Sequence, residues 1–216
     1  MKIFAATNNA HKLVELRTIF AVHEIVSPAD FGIETEPEEN GTSFVENALI
    51  KAKAFYAVLC DMHIPLPVLS DDSGLCVDAL GGKPGIFSAR YSGSKPKGTV
   101  LTQDEKNRML IAEIPADAPR NAHFACALVL YFGGDRLCCV QETLCGKIVQ
   151  SENEVQGASG FGYDPIFVPD FLPSAKTGAL CANTTGCTLA QLSEAEKNEI
   201  SHRGKACKTL LRLQDL

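Results

Sequence analysis

The feature that most constrains this chain is the apolar stripe Phe44, Ala48, Ala52, Phe55 and Leu59. Its steps of three to four residues mark one face of an α-helix, and that face has to be buried. The helix is expected to begin near Thr42 or Ser43 and to stop before Pro65 and Pro67. Ahead of it, residues 2–7 read as a strand, and Leu13, Leu16 and Phe20 mark a first helix. Glu24-Ile25-Val26 follows as a short strand able to pair with the first. Beyond the prolines, Val68-Leu69-Ser70 reads as a short buried strand. Thr102 and Glu105 form a capping box for a helix to about Ile114, and residues 121–132 and 137–149 flank Gly133-Gly134-Asp135 as a hairpin. Ser193 and Glu196 form another capping box, and Ser201 heads a last helix whose Ala206, Leu210 and Leu213 face the core. Residues 28–41, 71–98 (with a strand-like Leu75-Cys76-Val77) and 157–188 read as loops. This order predicts an α/β protein with a mixed β-sheet flanked by helices. With no internal repeat or linker, residues 1–216 are expected to form a single domain, built as two lobes with a cleft between them.

Twenty basic residues against 26 acidic ones give a net charge of −6, and the bases are spread along the chain. Binding of long nucleic acid needs a concentrated basic face, so it is excluded, whereas one nucleotide needs only two or three placed cations. No signal-peptide pattern opens the sequence and no apolar run reaches bilayer-spanning length, which predicts a cytoplasmic protein without a membrane partner. The nine cysteines include no C-x-x-C pair and several sit in apolar runs, so they read as reduced, small core residues.

Five segments could carry chemistry. Thr7-Asn8-Asn9-Ala10-His11-Lys12 spans a strand end and a helix start, where backbone N–H groups and the helix dipole favour an anion; it equally suits a plain N-cap. It lacks the spacing of a Walker loop. Ser70-Asp71-Asp72-Ser73-Gly74 places two adjacent carboxylates after a buried strand. That arrangement suits either Mg²⁺ beside phosphates or an Asp-rich turn. Glu38 and Glu39 could add acid, and Asn47 and Lys51 stand at i, i+4 on a polar face of the striped helix. In Ser159-Gly160-Phe161-Gly162-Tyr163-Asp164-Pro165 the glycines leave an aromatic face open for a base, or form a tight turn. Lys197 and Ser201-His202-Arg203-Gly204-Lys205 offer a ring and a planar fork for carbonyl or phosphate oxygens, or a surface basic cluster.

Taken in order, six strings resemble the house-cleaning inosine/xanthosine triphosphate pyrophosphatase family. They are residues 6–12, 38–48, 70–75, 84–93, 160–165 and 200–204, and the resemblance runs from Lys2 to about Lys208. It implies an elongated mixed α/β fold, a homodimer, and an active site between two lobes. It also implies cleavage of ITP, dITP and XTP between the α- and β-phosphates. Carried over, Thr7, Asn8, Asn9, Ala10, His11, Lys12 and Lys51 would hold the triphosphate, and Glu38 with Asp72 would bind Mg²⁺. Asp72 would activate water and Ser73 would touch substrate. Phe161 would stack on the base, with Gly162, Tyr163, Asp164, Lys197, His202 and Arg203 completing the pocket.

The sequence departs from that pattern at residues 170–186, which read as a longer loop. Cys187 and Gln191 stand where a Lys and an acid are common, and Asn8 where Gly is common. Two rival readings are a Maf-type pyrophosphatase of modified pyrimidine nucleotides and a nucleotide-binding sensor without turnover. The intact Asp71-Asp72 pair with Lys12 and Lys51 favours an enzyme.

Overall fold

Strands and helices alternate through the first third of the chain, as the hydrophobic pattern requires. A computed structural model describes residues 1–93, 95, 99–157, 159–174 and 178–213. Its strands are β1 (Lys2–Ala5), β2 (Glu24–Val26), β3 (Val68–Val77), β4 (Lys83–Pro84), β5 (Asn121–Tyr131), β6 (Leu137–Ile148), β7 (Phe167–Pro169), β8 (Phe171–Pro173) and β9 (Leu180–Ala182). Its helices are α1 (Ala10–Ile19), α2 (Phe44–Asp61), α3 (Gln103–Glu113), α4 (Glu194–Ile200) and α5 (His202–Leu213), joined by short 3-10 turns. Among the described residues one mixed sheet runs β2-β1-β3-β5-β6-β7, with β4 antiparallel to β3. β1 pairs parallel to both β2 and β3.

The chain divides into two compact units. The first comprises Met1–Asp72, Cys126–Glu142 and Arg203–Leu216, and the second Ser73–Ala125 and Thr143–His202. In the first unit, strand alternation sorts side chains onto two faces. Ile3, Ala5 and Leu69 pack with Leu16 and Phe20 at α1 and with Ala206 and Leu210 of α5. Phe4, Ala6 and Val68 pack with the α2 stripe Ala48, Ala52, Phe55 and Leu59. These strands are covered on both faces, so they read as continuous apolar runs. In the second unit Leu75, Val77, Leu110, Phe124, Phe167 and Leu189 share one core, and α3 and α4 begin at the expected capping boxes.

Five local expectations are corrected. The acid pair is no turn: β3 continues unbroken through Asp71 and Asp72 to Val77, because buried cations and amides satisfy both carboxylates. Within 157–188 lie β7 and the antiparallel pair β8 and β9. Three-residue strands carry too little alternation to be recognised in sequence. Part of the long 170–186 loop, residues 175–177, falls outside the described residues. Asn47 sits in the interior rather than on a polar face. Leu213, at the helix end, is 61% exposed, whereas Ala206 and Leu210 are buried. Of the cysteines only Cys76, Cys126 and Cys207 are buried, while Cys60, Cys139, Cys145 and Cys181 are exposed.

Candidate active site

β1 ends against α1 through the polar segment 7–12. Asn9 is the N-cap: its Oδ1 accepts the backbone N–H groups of His11 (3.0 Å) and Lys12 (3.2 Å), and Thr7 Oγ1 accepts that of Asn9. Asn8, Ala10 and His11 are exposed and Thr7 is half-buried. Cap and charged group coexist here, because Lys12 turns inward from the first helical turn. Its Nζ lies 2.8 Å from Asp71 Oδ2.

Strand geometry separates the two neighbouring carboxylates. In β3, alternate residues face opposite sides. Asp71 therefore follows Leu69 toward α1 and α5, where Lys12 and Arg203 receive it. Asp72 and Ser70 follow Val68 toward α2, where Ser70 Oγ donates to Ala48 O and Asp72 Oδ2 accepts from Asn47 Nδ2 at 3.0 Å. Burial alone would raise the proton affinity of both acids. At Asp71 that effect is overcome by Lys12, Arg203 and Lys51, which hold its carboxyl well below the usual range. At Asp72 burial prevails, helped by Glu39 and opposed by the Asn47 hydrogen bond and the lysines, so its carboxyl is pushed up. One carboxyl is held as an anion, whereas its neighbour binds a proton more readily than an ordinary aspartate does.

Lys51, one turn beyond Asn47 on α2, bonds Glu39 Oε1 at 2.5 Å. Burial disfavours its charge, but Asp71 and Glu39 outweigh this and raise its affinity for the proton. Asn47 Oδ1 accepts the Gly41 N–H at 2.8 Å, tying the acidic loop to α2. Glu38 is exposed, so the loop acid brought to Lys51 is Glu39.

The second unit holds the aromatic turn. Gly160 has φ +75°, and a Cβ there would strike the Asp164 carboxylate, so only glycine fits. Asp164 Oδ2 accepts the Phe161 N–H (2.8 Å) and Lys197 Nζ (2.8 Å), and is buried. The Lys197 ammonium also lies 4.5 Å from the Phe161 ring centroid, so one face of that ring carries a cation. Tyr163 is a buried anchor whose hydroxyl donates to Ser88 O, and Asn107 Nδ2 donates to Gly162 O. His202 stacks on Phe124, with centroids 4.8 Å apart and planes 6° apart. Ser73 is half-buried in β3.

Thus Lys12, Lys51, Asp71, Asp72 and Arg203 belong to the first unit, while Ser73, Phe161, Gly162, Tyr163, Asp164, Lys197 and His202 belong to the second. Arg203 points to Asp71 and to Glu15, with its side chain buried. Sequence reasoning passed over Glu15, Asn107 and Phe124. Only Glu15 left a signal, its i+3 spacing from Lys12.

Among the described residues no three or more His, Cys, Asp or Glu gather as a metal cluster, and no helix is long and apolar enough to cross a membrane. Comparison with known proteins agrees with this architecture. The chain is 41% identical over 206 residues to the dITP/XTP pyrophosphatase of Treponema denticola, covering 95% of this chain and 94% of that protein. It is 40% identical to the dITP/XTP pyrophosphatase of Shigella flexneri, covering 97% and 96%. The structure of the Staphylococcus aureus Ham1 protein superposes with a TM-score of 0.78 at 30% identity, covering 100% of this chain and 98% of that one. A family model described as "Ham1 family" matches residues 3–213, and the chain belongs to that family.

Proposed function

We propose that this chain hydrolyses non-canonical purine nucleoside triphosphates (ITP, dITP and XTP) to the monophosphate and pyrophosphate. The observation that carries this reading is the division of the acid pair. Asp71 is neutralised by Lys12 and Arg203, and Asp72 keeps a raised proton affinity beside Asn47 and Lys51. The names of relatives in Treponema denticola and Shigella flexneri support the substrate class.

In this mechanism the first unit binds the triphosphate, with Thr7, Asn8, Asn9, Ala10, His11 and Lys12 along one side and Lys51 on α2. The lysines neutralise charge on the phosphate oxygens. Asp72 accepts a proton from the attacking water, whose oxygen bonds to the α-phosphorus as the bridge to the β-phosphate breaks and pyrophosphate leaves. A carboxylate with raised proton affinity suits that role better than Asp71 does.

The donor set also suits a divalent cation. Mg²⁺ takes one or two carboxylates plus substrate oxygens, and Asp72 is a buried carboxylate with the loop acid Glu39 acting on it. Asp72 and one acid of the Glu38-Glu39 pair would hold it. When bound it supplies charge against the triphosphate. Glu39 is favoured over Glu38 because its charge is felt at Asp72.

The second unit reads the base, with Phe161 stacking through the face that Lys197 leaves, Ser73 touching substrate, and Gly162, Lys197 and His202 completing the pocket. Tyr163 and Asp164 fix the turn's shape. Arg203 acts through Asp71. Donors aimed at a purine 6-oxo group would be left unpaired by adenine, at about 1–3 kcal/mol per buried group. A cytoplasmic homodimer completes the proposal.

Incubation of ITP with the protein and Mg²⁺ tests it directly. Inosine monophosphate and pyrophosphate are the expected products, and release of orthophosphate from ITP rejects the mechanism.

A further inference from the structure

Glu15 has no part in the mechanism above, yet it is one of the few buried acids of the first unit. It lies on α1 three residues after Lys12, so the two side chains share one side of the helix. Its Oε2 accepts from Arg203 Nη1. On its other side Arg203 reaches Asp71 Oδ2 with Nη2 at 3.2 Å and Nε at 3.4 Å. That same oxygen receives Lys12 Nζ at 2.8 Å. A chain of charges therefore leaves α1 at Glu15, passes through α5 and β3, and returns to α1 at Lys12.

Lys12 and Arg203 compete for one carboxylate oxygen. How closely each approaches depends on how well it is neutralised elsewhere. Glu15 meets Arg203 from the side away from Asp71, which leaves Asp71 shared. Without that charge Arg203 would remain buried with less compensation, a costly state. A guanidinium in that state draws a carboxylate into a bidentate pairing, and Asp71 would turn away from Lys12.

We propose that Glu15 is a positioning residue for Lys12: by neutralising Arg203 it keeps the Asp71 carboxylate available to hold the Lys12 ammonium in place. The geometric part of this inference stands on the ion pairs alone, and its kinetic consequence rests on the reading of Lys12 as a triphosphate ligand.

Two measurements on Glu15→Gln test it. In ¹⁵N-lysine-labelled protein the Lys12 Nζ resonance is assigned by its loss in Lys12→Met. That resonance is expected to shift or broaden in Glu15→Gln, while the Lys197 resonance in the second unit stays in place. An unchanged Lys12 resonance overturns the proposal. With ITP, kcat is expected to fall on the order of tenfold or more, with KM changed less than twofold. Glu15→Asp keeps the charge, and is expected to keep the resonance and most of kcat. It also carries the test should Glu15→Gln fail to fold. Equal damage from Asp and Gln would mean that Glu15 acts by packing, which rejects the proposal. Absence of ITP turnover in the unmodified protein would reject the functional reading, and the Lys12 resonance would still decide this one.

Discussion

Asn47 on α2 donates its side-chain amide to Asp72 at 3.0 Å, and both groups are buried. The other end of the amide accepts the Gly41 N–H at 2.8 Å, so a single side chain fixes the acidic loop, the helix and the strand to one another. Replacing Asn47 by Asp substitutes a second carboxylate for the donor. Two carboxylates at this distance cannot both ionise. Asn47→Asp is expected to lower kcat for ITP by at least a hundredfold, on the scale of losing one aimed polar group at a reaction centre. The far-ultraviolet circular dichroism should stay native. Turnover within twofold of the unmodified protein would remove Asn47 from the site.

Asp72 is expected to trade stability for reactivity. Its folded proton affinity is raised mainly by burial, so above its ordinary carboxylate range folding must carry a disfavoured charge. That penalty is absent at low pH, appears as pH rises past the unfolded carboxyl's range, and is fully present at neutrality. Asp72→Asn removes it. The variant is expected to lose turnover by orders of magnitude, yet to melt at a higher temperature at pH 7 without metal, because it no longer carries the disfavoured charge. At pH 3 the difference should vanish. A variant less stable than the parent at pH 7 would contradict the charge assignment.

The loop acids differ in reach. Glu39 bonds Lys51 and is felt at Asp72, whereas Glu38 is exposed. In an Mg²⁺ titration of ITP hydrolysis, Glu39→Gln is expected to raise the half-saturating Mg²⁺ concentration about tenfold, as loss of one outer or inner oxygen partner does at metal sites. Glu38→Gln should change it less than threefold. The reverse order would return the metal role to Glu38.

Much of the first unit is legible in sequence because its signals are long. The α2 stripe covers four turns, and Ser43 caps the helix where expected. β1 and β2 pair in parallel as their apolar runs suggest. The acid pair is harder: composition makes Ser-Asp-Asp-Ser-Gly a turn, and only partners distant in sequence, at residues 12, 47 and 203, make it a strand. Local propensity cannot register such compensation. Arg203 presents the same problem from the other side, since its committed partners Asp71 and Glu15 are 132 and 188 residues away. The brief strands β8 and β9 carry almost no periodic signal, and tertiary pairing alone identifies them.

Asp164 and Lys197 form a buried ion pair in the second unit, with side chains 4% and 7% exposed and Nζ 2.8 Å from Oδ2. The carboxylate also holds the Phe161 N–H, so the pair shapes the aromatic turn. Truncating one partner of such a pair strands the other charge in the interior, at about 3–5 kcal/mol, whereas replacing both with apolar groups of similar volume is often neutral. Lys197→Met is therefore expected to lower stability by about that amount in urea unfolding. Asp164→Leu combined with Lys197→Met should recover at least half of the loss, because the stranded carboxylate is gone. Recovery of stability should not bring back function. The double variant loses both the ammonium over Phe161 and the acceptor for the Phe161 N–H, so KM for ITP is expected to stay high. A double variant with native KM would show that the ion pair only stabilises the fold and that Lys197 has no part in holding the base.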